Sequence, residues 1–403
     1  MYEPEGASVS GRPVYGYPAV LLLASTLAAC VGGIIMPVVE LIRHDLGISA
    51  TAVGILVAAH AGVIVVVSPF VGRATDRWGV RHLLGMGLLL YGVAGGVGTV
   101  TDSYPILLTS RVLLGAGAAA VFSVTTVALL AMGAGRDQDR MIGWRTTAMT
   151  VGAVAWPLLA GALGAFDWHA TFGLYLLGIP LGIAALIWAP PEQPRRSENC
   201  ERRGSTVELL RRHPTLSAWY AMTAASGLTT YGLIVFLPGR LAQAGIVNPM
   251  FVSLFQVGLF AFAGVIGAVF VHIAACVGFG VLLRIVWACR AVAFTILALS
   301  TQPLLLLAAT ALVGISNGLS LPVTTLLIGE TPEPTRRGLA VSLAGTALFV
   351  GQGLTPVVFG PIMHAASLTT AFLVVAAGSC CILLLLARRR IADPRIAKAV
   401  APR

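Results

Sequence analysis

GRATDRWGVR, residues 72–81, places Arg73, Asp76, Arg77 and Arg81 within one short turn. Its surroundings are the opposite. Residues 51–71 before it and 83–101 after it contain no Asp, Glu, Lys or Arg. A bilayer core is crossed by about 20 apolar residues in a helix, and both flanking runs reach that length. A charged turn bounded by Gly72 and Gly79, between two such runs, reads as the loop joining two membrane helices. That reading makes the chain an all-α integral membrane protein.

The composition agrees. Of 403 residues, 57% are hydrophobic and only 10% are charged, with a mean hydropathy of +0.89. An ordinary soluble domain is about a quarter charged, so there is too little polar surface here to cover a soluble body. The net charge is +10 and the pI about 9.8. A nucleic-acid binder gathers such charge on a water-facing surface; here it falls in short gaps between apolar runs, and no nucleic-acid partner is expected. The six cysteines form no CxxC or His/Cys cluster, which leaves neither a zinc site nor a disulfide framework to propose.

Outward from residues 72–81, apolar runs predict twelve transmembrane helices, near 18–41, 51–71, 83–101, 105–132, 142–165, 169–189, 214–238, 250–271, 277–300, 303–329, 339–363 and 366–387. The first run lacks a small-residue cleavage site and reads as a membrane helix rather than a signal peptide. Basic residues set the orientation, because short cytoplasmic loops are enriched in Lys and Arg. One set of loops holds Arg73, Arg77, Arg81, Arg136, Arg140, the arginines of 190–213, Arg284, Arg336, Arg337 and the tail. The other set holds only Arg43 and Arg240. Both termini are therefore expected in the cytoplasm, in a multi-pass protein of the cell membrane. Residues 1–189 form one six-helix half and 214–389 the other. A polar cytoplasmic linker spans 190–213, and 390–403 is a basic cytoplasmic tail.

The halves resemble each other at an offset of 199 residues. Val124-Thr125-Thr126 falls on Val323-Thr324-Thr325, Gly115 on Gly314, and Gly152, Pro157 and Gly161 on Gly351, Pro356 and Gly360. Two repeats of six helices imply a pseudo-twofold axis along the membrane normal. Repeat-built transporters bind substrate between the repeats, near the midplane, and rock one against the other.

Against this frame, residues 72–81 resemble the loop signature of the major facilitator superfamily, G-x-x-x-D-R-x-G-R-R. Gly72, Asp76, Arg77, Gly79 and Arg81 match, and Val80 takes the place of the first closing arginine. The resemblance implies a conformational latch, with the glycines allowing a tight turn and close helix approach. Residues 111–119, RVLLGAGAA, resemble the R-x-x-Q-G-x-G-A-A pattern of proton-coupled members, with Leu114 for the glutamine. In the fifth helix, Gly152, Pro157 and Gly161 resemble the G-x-x-x-G-P-x-x-G-G signature of antiporters, with Trp156 and Ala160 replacing two glycines. Trp168, His169, Phe172 and Pro180 resemble the start of the sixth helix in drug-exporting members.

Ionisable and polar residues inside spans are costly and mark function. Arg111, Glu40 and His60 are the candidates for proton coupling, since His60 can titrate near neutral pH and Glu40, near the outer end of the first span, is the one acid of the first half placed plausibly for it. Trp156, Tyr231, Gln256, Arg290, Asn317 and Gln352 are candidates to line the cavity. No aspartate is central to the membrane, which favours neutral or anionic amphiphiles over strong cations as substrates.

The expected function is export of small organic molecules, a drug or a secreted metabolite, by proton-coupled alternating access. The alternative is a proton symporter taking up a small organic anion, with Arg111 and Arg290 as counter-ions. Enzyme chemistry is disfavoured: the sequence has no DDxxD-like or HxxxD-like cluster and no nucleotide loop. No catalytic residue, metal or cofactor is expected. The partners are a small-molecule substrate, protons and the lipid bilayer, and the chain is expected to work as a monomer.

Overall fold

The structure, a computed structural model, describes residues 16–132, 136–189, 206–333 and 336–388. Most of the expected linker and tail lies outside the described residues, as does the Asp76 side chain.

The first half is built from α1 (Gly16–Ala29), α2 (Ala50–Thr75), α3 (Arg77–Thr99), α4 (Tyr104–Ala131), α5 (Arg136–Gly164) and α6 (Trp168–Trp188). The second contains α7 (Pro214–Gln243), α8 (Pro249–Cys276), α9 (Phe279–Leu299), α10 (Pro303–Glu330), α11 (Arg337–Ala365) and α12 (Leu368–Arg388). A short helix, Thr206–Arg212, precedes the second half. Local sequence explains the starts. Ser49 accepts the Ala52 amide, Asn248 the Met250 amide and Asp167 the His169 amide, satisfying N–H groups the first turn leaves open. Proline opens α4, α7, α8 and α10, where its missing N–H costs nothing.

Eleven helices are long and apolar enough to cross a membrane among the described residues; α1, at 14 residues, is the twelfth and shorter one. The continuous first span expected over 18–41 is therefore broken. After Ala29 the chain passes through turns to a 3-10 segment, Met36–Val38, and a short helix, Val39–Asp45. Gly32, Gly33 and Pro37 account for this: glycine is a poor helix former and proline donates no amide hydrogen bond. At the turn of residues 72–81, Gly79 adopts φ 78° and ψ 161°, a conformation costly for any residue with a Cβ.

The repeat is visible in how the helices pack. A Cβ added to Gly115 would meet the backbone of His60 on α2; one added to Gly314 would meet that of Leu259 on α8. His60 and Leu259 are themselves 199 apart. Gly152 seats against Thr26 of α1, and Gly351 against Ala224 of α7. Gly161 seats against Pro249 and Ser253 of α8, and Gly360 against Thr51 of α2. Small residues let helices approach closely in a membrane, where packing rather than water exclusion holds them. Between the halves, α2 packs on α11 and α5 on α8. The 199-residue offset exchanges these two interfaces, as a pseudo-twofold requires.

Candidate functional site

The halves touch in the middle of the bundle. Gly353 of α11 lies against Gly62 of α2, with 3.4 Å from its built Cβ to the Gly62 Cα. The Tyr231 hydroxyl of α7 donates to the Val57 carbonyl of α2 at 3.0 Å. The phenol reaches it through room left by Gly32, and a Cβ there would collide with the Tyr231 hydroxyl and lie 2.6 Å from His60 Cε1. The His60 ring stands edge-on to Tyr231, centroids 6.1 Å apart, and is buried. Thus the break after α1, the first-half histidine and the second-half tyrosine converge on one cross-half contact. Toward the arginine-rich side, Phe122 of α4 meets Phe349 of α11 edge-on at 5.8 Å.

At the end away from the arginine-rich loops, a cavity of about 410 Å³ lies between the halves, lined by Glu40, Arg43, Val53, Phe236, Gly239 and Met363 among others. Glu40 is paired with Arg43, whose Nε donates to it at 2.7 Å. That bond holds the Arg43 guanidinium above its ordinary pKa. Nearby, the turns of the first half at this end are tied together. Trp168 Nε1 donates to Asp45 at 2.8 Å, while His169 bridges Asp167 at 2.9 Å and Asp102 at 3.0 Å. The His169 amide and ring hold the Asp167 carboxyl below the usual carboxylate range.

The two embedded arginines expected from sequence are enclosed within their own halves. Arg111 is 1% exposed, lies between Phe172 and Tyr175 at 5.0 and 4.9 Å, and donates to the Gly95 carbonyl at 3.1 Å. Its Nε and Nη1 have no hydrogen-bond partner among the described residues. Arg290 is fully buried in a polar knot. It donates to Ser316 at 2.7 Å, to the Ser226 hydroxyl at 2.8 Å and to Asn317 at 2.7 Å, with Thr229 also in contact. Asn317 also accepts from Thr230 at 2.8 Å. Arg290 and Asn317 thus share one network inside the second half.

The remaining candidates divide. Gln256 is 2% exposed on α8, and neither atom of its amide has a partner among the described residues; the buried Trp156 indole nitrogen of α5 is likewise unpartnered. Gln352 is half-buried on α11. Pro157 lies inside α5, between the seats of Gly152 and Gly161. In the loop motif, Arg81 Nε donates to the Leu186 carbonyl of α6 at 2.5 Å, while Arg77 is exposed. Gly72 corrects the sequence reading: a Cβ there would meet open space, so close helix approach does not require this glycine. Two features escaped the sequence reading. One is Gly32, for which a glycine in an apolar run gave no signal of the Tyr231 contact. Arg145 falls three residues inside the run expected at 142–165, where an embedded charge is itself a signal.

Two repeats of membrane helices, packed through exchanged interfaces around a buried polar contact, define a secondary-carrier architecture. The profile of the Major Facilitator Superfamily matches residues 21–275 and 273–403, and the chain belongs to that family, one of transporters rather than enzymes. It is 28% identical to "Multidrug resistance protein 1" of Bacillus subtilis over 187 residues, 46% of this chain and 48% of that protein. It is 28% identical to "Quinolone resistance protein NorA" of Staphylococcus aureus over 155 residues, 38% of this chain and 39% of that one. The chain thus spans about half the length of the curated relatives it matches, or less. Among solved structures, a mutant form of the peptide transporter POT superposes with a TM-score of 0.76 at 13% identity, covering 92% of this chain and 93% of that one. Nucleoside transporter NupG superposes with 0.74 at 13% identity, over 93% and 100%. A bacterial homolog of the human lysosomal transporter Spinster gives 0.69 at 16%, over 93% and 95%. At these identities the likeness is one of fold.

Proposed function

We propose that this protein exports small organic molecules across the cell membrane in exchange for protons, by rocking residues 1–189 against 214–389. The observation that carries the reading is the cross-half contact of Tyr231, Val57, Gly32 and His60. It joins one hydrogen bond, one steric fit and one titratable ring at the seam that alternating access must open. The resistance proteins of the two matched relatives support export rather than uptake. So does the fifth-helix motif, whose Gly152 and Gly161 seat α5 on α1 and α8.

In this account the termini and the linker are cytoplasmic, and the end away from the arginine-rich loops faces outward. His60 is the coupling group. Protonation places a charge beside the Tyr231 contact, within the membrane region where an unpaired charge is costly, and so biases the halves to separate. Glu40, in the outer cavity, offers the proton an entry point, and the loop of Asp76, Arg77 and Arg81 latches the inner side. Arg111 holds α3, α4 and α6 together around His60's side of the interface. Trp156 and Gln256 offer spare hydrogen-bonding groups to a neutral or anionic substrate. Uptake of an anion on Arg111 and Arg290 is less well supported, because each guanidinium group is enclosed within its own half.

The test is a cell assay. Cells expressing the protein are expected to accumulate several-fold less of a transported fluorescent dye, and a protonophore is expected to abolish the difference. His60→Gln should abolish it without loss of inserted protein. Higher dye accumulation in expressing cells, collapsed by the same protonophore, would establish uptake instead.

A further inference from the structure

α5 carries an arginine within its apolar run that the export reading leaves without a role. Arg145 is half-buried, and its guanidinium lies 5.0 Å from the centroid of the Phe122 ring. Nη2 donates to the Phe122 carbonyl at 3.3 Å, and Nε is buried with no partner among the described residues. Among the described residues no carboxylate forms an ion pair with it. Phe122 and Arg145 each lie nine residues from the facing ends of α4 and α5, Ala131 and Arg136. Arg145 lies two residues inside the membrane-crossing stretch of α5, Gly143–Gly164. The same Phe122 ring forms the cross-half contact with Phe349.

Arg145 differs from Arg111 and Arg290 in lying beside a contact between the halves. Arg290 spends its donors on Ser226, Thr229, Ser316 and Asn317, and Arg111 is closed between two aromatic rings of its own half. Arg145 keeps Nε to spare, next to an aromatic pair that joins the halves. A cation at the edge of the membrane-crossing stretch, packed on an aromatic ring without a counter-charge, is open to pairing with an anionic ligand. The planar fork suits a carboxylate or sulfonate, and the Phe122–Phe349 edge suits a flat apolar body.

We propose that Arg145 is the anion-recognising residue of the substrate path, taking the carboxylate or sulfonate of an aromatic substrate. The proposal deepens the export reading and rests on it for the word substrate, but it concerns binding. The test uses the purified full chain in nanodiscs, with carboxyfluorescein as the anionic probe and ethidium as the cationic one, each followed by fluorescence anisotropy. Carboxyfluorescein should bind the wild type and bind Arg145→Gln at least about tenfold more weakly, the scale of a lost charge-assisted hydrogen bond. Arg145→Lys should fall between, keeping the charge without the fork. Ethidium binding should be unchanged or tighter in both variants. Carboxyfluorescein binding unaffected by Arg145→Gln, or absent from the wild type, overturns the proposal. Equal weakening of both dyes, or a lowered melting temperature in Arg145→Lys as well, makes Arg145 a packing residue and also overturns it. If Arg145→Gln loses the anion selectively while no proton-driven flux exists, the export reading falls and the anion site stands.

Discussion

Gly32 of the first half and Tyr231 of the second meet at the interface, one as a bare backbone and the other as a phenol. Their difference makes a sharp prediction. Gly32→Ala places a methyl group into the Tyr231 hydroxyl, so the Val57 hydrogen bond cannot form; transport is expected to fall at least about tenfold, the effect of about 1.4 kcal/mol. The double variant Gly32→Ala/Tyr231→Phe removes the colliding oxygen but not the close approach to His60, and should recover part of the activity. Tyr231→Phe alone loses one buried hydrogen bond, about 1 kcal/mol, a shift of roughly fivefold between the two states. Dye export by each variant at matched membrane abundance checks all three, and failure of the double variant to recover would contradict the steric account. Both His60 and Tyr231 could be singled out from sequence, because polar groups in apolar spans stand out. Their meeting could not, because it depends on where α1 breaks and on which helix faces cross the seam. The same limit applied to Arg290, visible as an embedded charge while its partners, scattered over α7 and α10, were not.

Helices are the scale at which the sequence was most legible. The proline and cap residues mark the observed starts, and the 199-residue offset anticipates the glycine seats of α5 and α11. The exception was the first span, where apolar composition ran on through Gly32, Gly33 and Pro37 although helical hydrogen bonding did not. Gly351→Ala tests the seats: its Cβ would strike the Ala224 carbonyl, a backbone atom that cannot swing aside. Overpacking of this kind costs about 1–3 kcal/mol, so a lower melting temperature in detergent is expected, with Gly152→Ala showing the same sign at its own seat on Thr26. At the end away from the arginine-rich loops, Asp167 caps α6 and is bridged by His169. A carboxyl held below its ordinary value stabilises the fold above its unfolded pKa, and that stabilisation is lost as pH falls through the folded value. Thermal stability should therefore decline below about pH 4, where free carboxylates protonate. Asp167→Asn, which keeps a capping oxygen, should flatten that decline; an unchanged profile would show that the bridge contributes nothing.

At the scale of the whole molecule, a twofold-related pair of interfaces gives the halves one seam to open. The α2–α11 and α5–α8 contacts exchange under the repeat, so a rocking motion that loosens one end of both is the natural movement. Composition and repeat made this architecture readable from the chain, since twelve apolar runs in two similar sets permit few other arrangements. In the proposed mechanism the proton is the coupled ion, and His60 at the seam is the group that carries it. Purified protein in proteoliposomes measures this directly. With the dye that expressing cells export placed outside, an acidic lumen should drive it inward as protons leave, beyond the signal of protein-free vesicles, and His60→Gln should abolish that drive. Accumulation driven instead by an acidic exterior, or indifferent to the gradient, would contradict proton-coupled export.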